Sequence, residues 1–126
     1  MTTTLFHQHK TIEKLNLKTC IKNRLDTEDW DNSDLDLFIY ELAEIGIKTA
    51  ADFNKRFRYE SNHPSPYEDY VWFYYIEIKE MDEQLLALSR LGLIFDWKSI
   101  WYAYLEHKTD CFYFYKSLYF FSMPFG

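Results

Sequence analysis

The chain has 126 residues and a formal net charge of −6. This length suits a single domain over residues 1–126 with a real hydrophobic core. No apolar run approaches the ~18 residues of a membrane span, and the N-terminus lacks the features of a secretory signal. We therefore expect a cytoplasmic protein.

A helix is predicted over residues 10–25, where apolar residues recur at helical spacing. Lys10, Lys14, Lys18 and Lys22 lie four residues apart and form one stripe along it. This stripe is interpreted either as a solvated face opposite the core or as a contact with phosphates or an acidic protein surface.

Two later segments repeat one pattern. Leu42-x-x-Ile45-Gly46-Ile47 precedes an aspartate-led helix with Phe53 and Phe57, and Leu88-x-x-Leu91-Gly92-Leu93 precedes one with Trp97 and Trp101. Each copy predicts a helix, a glycine stop and a second helix, which gives helical hairpins at about 33–58 and 80–107.

Further predictions concern the helix cap and the buried side chains of these hairpins. Ser33 is predicted to cap the second helix, with Asp36 in the capping-box position. The apolar stripes are predicted to be buried, and the aromatic pairs of both repeats are expected in the core. The second hairpin contributes two stripes: Met81, Leu85, Leu88 and Leu91, then Trp97, Ile100, Trp101, Tyr104 and Leu105.

Strands are predicted at about 69–78 and 111–122, where aromatic and β-branched residues dominate. The second stretch is expected to form two short antiparallel strands that turn around Lys116 and Ser117. The fold class is therefore α+β, with helical hairpins packed against a small antiparallel sheet rich in aromatic residues.

No recognisable catalytic set accompanies this architecture. Nucleophile motifs and glycine-rich phosphate loops are absent, and His7, His9, His63 and His107 lack zinc-type spacing. We expect no enzyme activity, no metal and no cofactor. Cys20 and Cys111 are isolated and are interpreted as reduced residues, with a disulfide as the alternative.

Acidic residues are concentrated in two stretches. Residues 26–53 hold nine acids against one lysine, a net charge of −8, and residues 60–83 hold seven against one, a net charge of −6. Carboxylates along a helix can reproduce the charge array of duplex phosphates, or can simply keep an aromatic-rich protein in solution. The candidate partner-binding residues are Asp26, Glu28, Asp29, Asp31, Asp34, Asp36, Glu41, Glu44, Glu68 and Asp69.

The stretch Ile94-Phe-Asp-Trp-Lys-Ser-Ile-Trp-Tyr-Ala-Tyr-Leu-Glu, followed by residues 113–121, resembles the closing segment of antirestriction proteins of the ArdA family. In that family an Asp-[Trp/Tyr] start opens a helix that leads to a short aromatic strand. The resemblance implies a dimeric DNA mimic, borne by a phage or plasmid, that blocks a host restriction complex through surface Asp and Glu. This chain is shorter and less acidic than the family and adds a lysine-rich first helix.

Two functions follow from these patterns. The first is a non-enzymatic acidic inhibitor, an anti-defence DNA mimic that binds a host nucleic-acid-processing protein. The alternative is a small protein-interaction module that docks on a host enzyme or regulator through an aromatic face. Aromatic residues make up 21% of the chain, more than a core of this size requires. A host protein partner and a possible homodimer are expected, without direct binding to duplex DNA because the chain is acidic.

Overall fold

The computed structural model describes the backbone of residues 2–124 and the side chains of residues 11–124. It confirms the α+β class, with six α-helices and a small three-stranded antiparallel sheet in the described chain. The chain forms two compact units, Met1–Phe57 and Arg58–Gly126. Each unit is described separately below, and the single domain expected over 1–126 stays a prediction.

The first unit contains three helices, α1 (Thr2–Arg24), α2 (Asn32–Glu44) and α3 (Ala50–Arg56). Helix α1 includes the predicted helix and begins eight residues before it. On α1, Ile12 and Leu15 of the predicted apolar stripe are exposed, but the three helices converge on a core that buries most of the stripe predicted for the first hairpin. Its members include Leu17, Ile21, Leu35, Phe38, Leu42, Ile47 and Phe53.

The start of α2 differs from the predicted one. Asp31, not Ser33, is the cap: its Oδ1 accepts the backbone N–H of Asp34, and the Asp34 carboxylate accepts the backbone N–H of Asp31, both at 2.9 Å. Asp satisfies free N–H groups as well as Ser does and adds a charge that the helix dipole favours. Asp36 has no role in the cap.

The repeated glycine pattern is a repeated helix stop. Gly46 and Gly92 both have φ +85, a conformation that glycine adopts without strain. After α2, the N–H of Gly46 donates to the carbonyl of Ala43, and the N–H of Ile47 donates to that of Leu42. The same two bonds recur around Gly92, which is the Schellman pattern. Sequence repetition therefore reflects one backbone motif used twice.

The second unit alternates short helical and extended pieces. Its helices are α4 (Pro66–Phe73), α5 (Asp82–Arg90) and α6 (Trp97–Ile100). Segments of π-helix follow α4 and α6, at Tyr74–Ile78 and Trp101–Leu105, and a 3₁₀ turn covers Glu106–Lys108. The strands are β1 (Phe57–Ser61), β2 (Thr109–Phe114) and β3 (Ser117–Ser122), in the order β1-β3-β2.

The strand predicted at 69–78 is wrong, because this stretch is helical through α4 and the π-helical segment after it. Aromatic and β-branched residues favour strands mainly through packing, so tertiary context can override the preference. Pro66 occupies the first turn of α4, and Glu68 and Asp69 follow it, which are ordinary signals of a helix start. The missed strand is β1, whose first two residues fall at the end of the hairpin predicted at about 33–58.

The hairpin predicted within 111–122 is confirmed, with a small change at its turn. Strands β2 and β3 are antiparallel, and their closing pair is Phe114 and Ser117. The two turn residues are therefore Tyr115 and Lys116, one position earlier than predicted. Tyr115 has φ 53, a left-handed conformation in which residues other than glycine are uncommon.

The core of the second unit is an aromatic cluster between α4, the second π-helical segment and the sheet. Tyr70 stacks on Phe120 with ring centroids 4.2 Å apart, and Trp101 meets Phe120 edge to face at 5.7 Å. Val71, Leu105 and Leu118 complete the fully buried part of this cluster. The expected core positions of Phe53, Phe57 and Trp101 are confirmed, while Trp97 is half-buried against the cluster.

The apolar stripe predicted in the second hairpin is not buried. Helix α5 contains no buried residue, Leu91 is exposed, and Tyr104 is exposed in the following helical stretch. The spacing of the leucines is helical, but spacing alone does not say whether another element covers the stripe.

Candidate functional site

The ten candidate carboxylates are divided between the two units. Eight belong to the first unit, in the loop before α2 and along that helix, whereas Glu68 and Asp69 belong to α4 of the second unit. The loop carries the most accessible charges. Its exposed members are Asp26, Glu28, Asp29 and Asp31.

Asp36 is already neutralised inside the first unit. Its Oδ1 lies 3.2 Å from Lys14 Nζ and 3.1 Å from Lys18 Nζ. Hydrogen bonds from Lys18 and Lys14 hold the pKa of Asp36 below its usual value. Two lysines of the predicted stripe therefore form ion pairs with Asp36 that join α1 to α2. Lys22 is exposed, and the side chain of Lys10 lies outside the described residues.

Three other candidates have structural roles. Asp31 and Asp34 form the capping box of α2. Asp69 accepts hydrogen bonds from the hydroxyls of Tyr59 at 2.9 Å and Ser61 at 2.7 Å, which ties α4 to β1. Burial and the bond to Asp69 raise the pKa of Tyr59 to about 12, so this phenol stays protonated and keeps donating at neutral pH.

The remaining candidates border aromatic side chains. The charge of Glu44, its hydrogen bond, burial and the charge of Glu41 together raise the pKa of the exposed Tyr40. Glu68 lines a shallow cavity with Tyr67 and Lys98. The α2 surface therefore combines accessible carboxylates with an aromatic ring.

An exposed apolar segment was not predicted from the sequence. Residues 85–94, called segment 85–94 below, comprise most of α5 and the glycine stop after it. Leu91 is 77% and Ile94 95% exposed, and Leu86, Leu88 and Leu93 are exposed as well. Large apolar side chains collected in this way are typical of a binding surface. The only signal of this segment in the sequence is the helical spacing of its leucines, and that spacing predicts a buried stripe.

Charged residues flank one end of segment 85–94. Glu77, Glu80, Asp82 and Glu83 precede it and are all exposed, and the first turn of α5 contains the last two. Arg90 is the basic residue of its last turn. The segment thus combines an aliphatic surface with a strongly acidic N-terminal border.

Aromatic residues are also exposed, and they come from several different elements. They are Tyr40 on α2, Trp72 on α4, Tyr102 and Tyr104 in the second π-helical segment, Tyr113 on β2 and Tyr115 in the turn. Segment 85–94 differs from them in that its exposed apolar side chains come from one short stretch of the chain.

The cysteines and the side chains that could bind a metal form no cluster within the described residues. Both cysteines are free thiols, and burial raises the pKa of Cys111. Among the residues that the structure describes, no three His, Cys, Asp or Glu side chains gather as metal ligands. The side chains of His7 and His9 lie outside that part. No helix in residues 2–124 is both long and apolar enough to cross a bilayer.

Comparison with known proteins finds no match: no family model, curated protein or solved structure matches this chain. The resemblance to the ArdA family therefore rests on the sequence motifs alone and stays a prediction.

Proposed function

We propose that the chain is a non-enzymatic protein-binding module that inserts segment 85–94 into an apolar groove of a partner protein bordered by Lys and Arg. The observation that carries this proposal is that α5, an amphipathic helix of nine residues, buries none of them. Helices shorter than about 12–15 residues are marginal in water unless packing covers their apolar face. A partner groove would supply the missing cover.

Charge determines which partner fits. The four exposed acids before and within α5 favour a basic border, and they oppose pairing with a second copy of this acidic chain. Host proteins that process nucleic acids have basic surfaces of this kind, so the proposed docking is compatible with an inhibitor of such a protein. Helix-in-groove recognition uses apolar anchors at this spacing.

The double variant Leu91→Ser, Ile94→Ser tests this function. Both side chains are exposed, so we expect folding to be unchanged while partner affinity falls at least about a hundredfold, since burial of each aliphatic side chain contributes on the order of 1.5–3 kcal/mol. Wild-type and variant chains would serve as baits in host lysate, and the affinity of each recovered protein would then be measured by calorimetry.

Leu37→Ser is the matched control, because Leu37 is a comparably exposed leucine on α2. A partner retained by the control and lost by the double variant supports docking through segment 85–94. Equal binding by all three chains would reject it. Sedimentation that shows a wild-type dimer dissociating in the double variant would instead identify a second copy as the occupant.

A second candidate function is phosphate mimicry by the loop before α2. The supporting observation is that Asp26, Glu28 and Asp29 are exposed and that no cationic side chain within residues 11–124 forms a salt bridge with them. They are the candidate charges least committed to caps or ion pairs, and they belong to the acidic set from which an antirestriction-like role was expected.

The triple variant Asp26→Asn, Glu28→Gln, Asp29→Asn separates the two functions. If the loop replaces phosphates, affinity for the recovered partner should fall by about tenfold or more per charge-assisted contact, and wild-type binding should weaken steeply with salt. Docking through segment 85–94 predicts that the triple variant keeps wild-type affinity, because the acids that border this segment are unchanged. The variant spares the Asp31 and Asp34 cap and the Asp36 ion pairs, so its stability should match that of the wild type.

A further inference from the structure

A cavity of about 260 Å³ in the second unit collects positive charge within an acidic chain. Three of its lining residues are cationic, namely Arg58, Lys79 and Lys108. None of the lining residues is Asp or Glu. The cavity therefore has a local charge opposite to the net charge of −6.

Two ammonium groups of this cavity lie around one ring. Lys108 Nζ donates to the hydroxyl of Tyr74 at 3.1 Å and lies 5.1 Å from the ring centroid, and Lys79 Nζ lies 5.5 Å from the same centroid. Burial acts to raise the pKa of Tyr74, but the hydrogen bond from Lys108 and the charges of both lysines outweigh it and lower that pKa. The lysines thus create a positive field at this ring.

Neither lysine is balanced by a carboxylate in the described part of the chain, residues 11–124, where no salt bridge includes Lys79 or Lys108. Two like charges gathered on one ring repel each other, and a bound anion would relieve that repulsion. Thr109 and Ser122, which are paired across β2 and β3, line the same cavity. The hydroxyl of Thr109 donates to the carbonyl of Leu105 at 2.7 Å, so the ammonium groups are the donors on which a bound anion would depend.

The first π-helical segment positions the ring of Tyr74 and the ammonium group of Lys79 at the cavity. Tyr74 and Ile78 are its first and last residues and both line the cavity, while Lys79 follows directly and its N–H donates to the carbonyl of Tyr74 at 2.9 Å. Single π-helical turns are rare and often lie at functional sites. Here the wider turn brings a phenol and an ammonium to the same opening.

We propose that this cavity binds the phosphate group of a small molecule. Pockets for drug-sized ligands usually measure about 300–1,000 Å³, so a cavity of about 260 Å³ suits a phosphate group rather than a whole large ligand. The ammonium groups of Lys79 and Lys108 can donate charge-assisted hydrogen bonds to phosphate oxygens. The group can come from inorganic phosphate or from a phosphomonoester such as a mononucleotide, whose remaining part would lie outside the cavity.

Calorimetric titration of the full chain with inorganic phosphate and with AMP, at constant ionic strength, tests this site. We expect saturable binding at one site, and amide chemical-shift changes centred on Tyr74, Lys79 and Thr109. Tighter binding of AMP would identify a phosphomonoester as the source, and equal binding would identify the phosphate ion. No saturable binding of either probe would overturn the proposal.

The variant Lys79→Gln, Lys108→Gln should weaken binding about a hundredfold, about tenfold for each ammonium removed. The matched control is Lys22→Gln, Lys116→Gln, which changes the net charge equally at two exposed lysines outside the cavity. Equal losses in both variants would show that only overall charge matters and would reject the site. Lys79→Gln alone removes an exposed side chain and gives a tenfold test if the double variant unfolds.

Discussion

Replacement of Trp101 by alanine is expected to lower the free energy of unfolding of the second unit by about 3–5 kcal/mol. Trp101 is 2% exposed, and its ring contacts Tyr67 at 4.9 Å and Phe120 at 5.7 Å between centroids. An alanine would leave a cavity in the centre of this aromatic cluster, because rings held by several neighbours cannot all move to fill it. Urea denaturation, followed by circular dichroism and by hydrogen exchange of amides in β3, measures the loss.

Tyr104→Ala is the control for this prediction. Tyr104 lies in the same π-helical segment but is 62% exposed, so its removal should change stability by less than about 0.5 kcal/mol. Wild-type stability of the Trp101 variant would show that the ring does not support the core and that the Trp97 and Trp101 repeat is superficial.

The second large effect is expected at Arg56, where replacement by alanine should lower the stability of the first unit by about 2–3 kcal/mol. Arg56 is 5% exposed and its Nη1 donates to the carbonyl of Ile45 at 2.6 Å. Ile45 ends α2, where the last carbonyls have no partner within the helix, and a cation there also favours the helix dipole. Without the guanidinium this carbonyl loses a partly buried, charge-assisted hydrogen bond.

Lys48→Ala provides the comparison, because it removes the same charge from an exposed position between α2 and α3. Its effect on stability should be small. Hydrogen exchange at the amides of Gly46 and Ile47 would locate the Arg56 effect at the end of α2. Equal losses in both variants would indicate a general charge effect instead of a local bond.

The first unit was largely predictable because its local signals and its burial agree. Gly46 ends a helix whose apolar stripe is largely buried, and α3 begins just before Asp52, where an aspartate-led helix was predicted. The error at Ser33 is an offset of two residues among several residues that can all cap a helix.

The second unit was harder to predict because some of its residues fit both a helical and a strand pattern. Tyr67, Tyr70, Val71 and Tyr74 recur at helical spacing, yet they stand in a run whose composition favours a strand. Packing on Phe120 and Trp101 favours the helix, and those contacts join residues distant in sequence. No short stretch of the sequence shows that these distant residues will be in contact.

The candidate sites have the same dependence on long-range contacts. The sequence supplied the number of carboxylates but not their partners, so the ion pairs of Asp36 and the hydrogen bonds of Asp69 were not anticipated. The leucines of segment 85–94 were identified as a stripe, but the absence of any covering element was not visible. The cavity at Tyr74 joins residues from β1, the first π-helical segment and the β2–β3 hairpin.

The π-helical segment after α4 also makes the second unit sensitive to chain length. Its hydrogen bonds span five residues, as from Lys79 to Tyr74, whereas those of an α-helix span four. Deletion of one residue between 74 and 78 would allow a regular α-turn and would rotate everything after it by about 100° around the helix axis. Lys79 would then leave the ring of Tyr74, and segment 85–94 would point in another direction. An insertion or deletion here would therefore alter both proposed binding surfaces without changing one of their side chains.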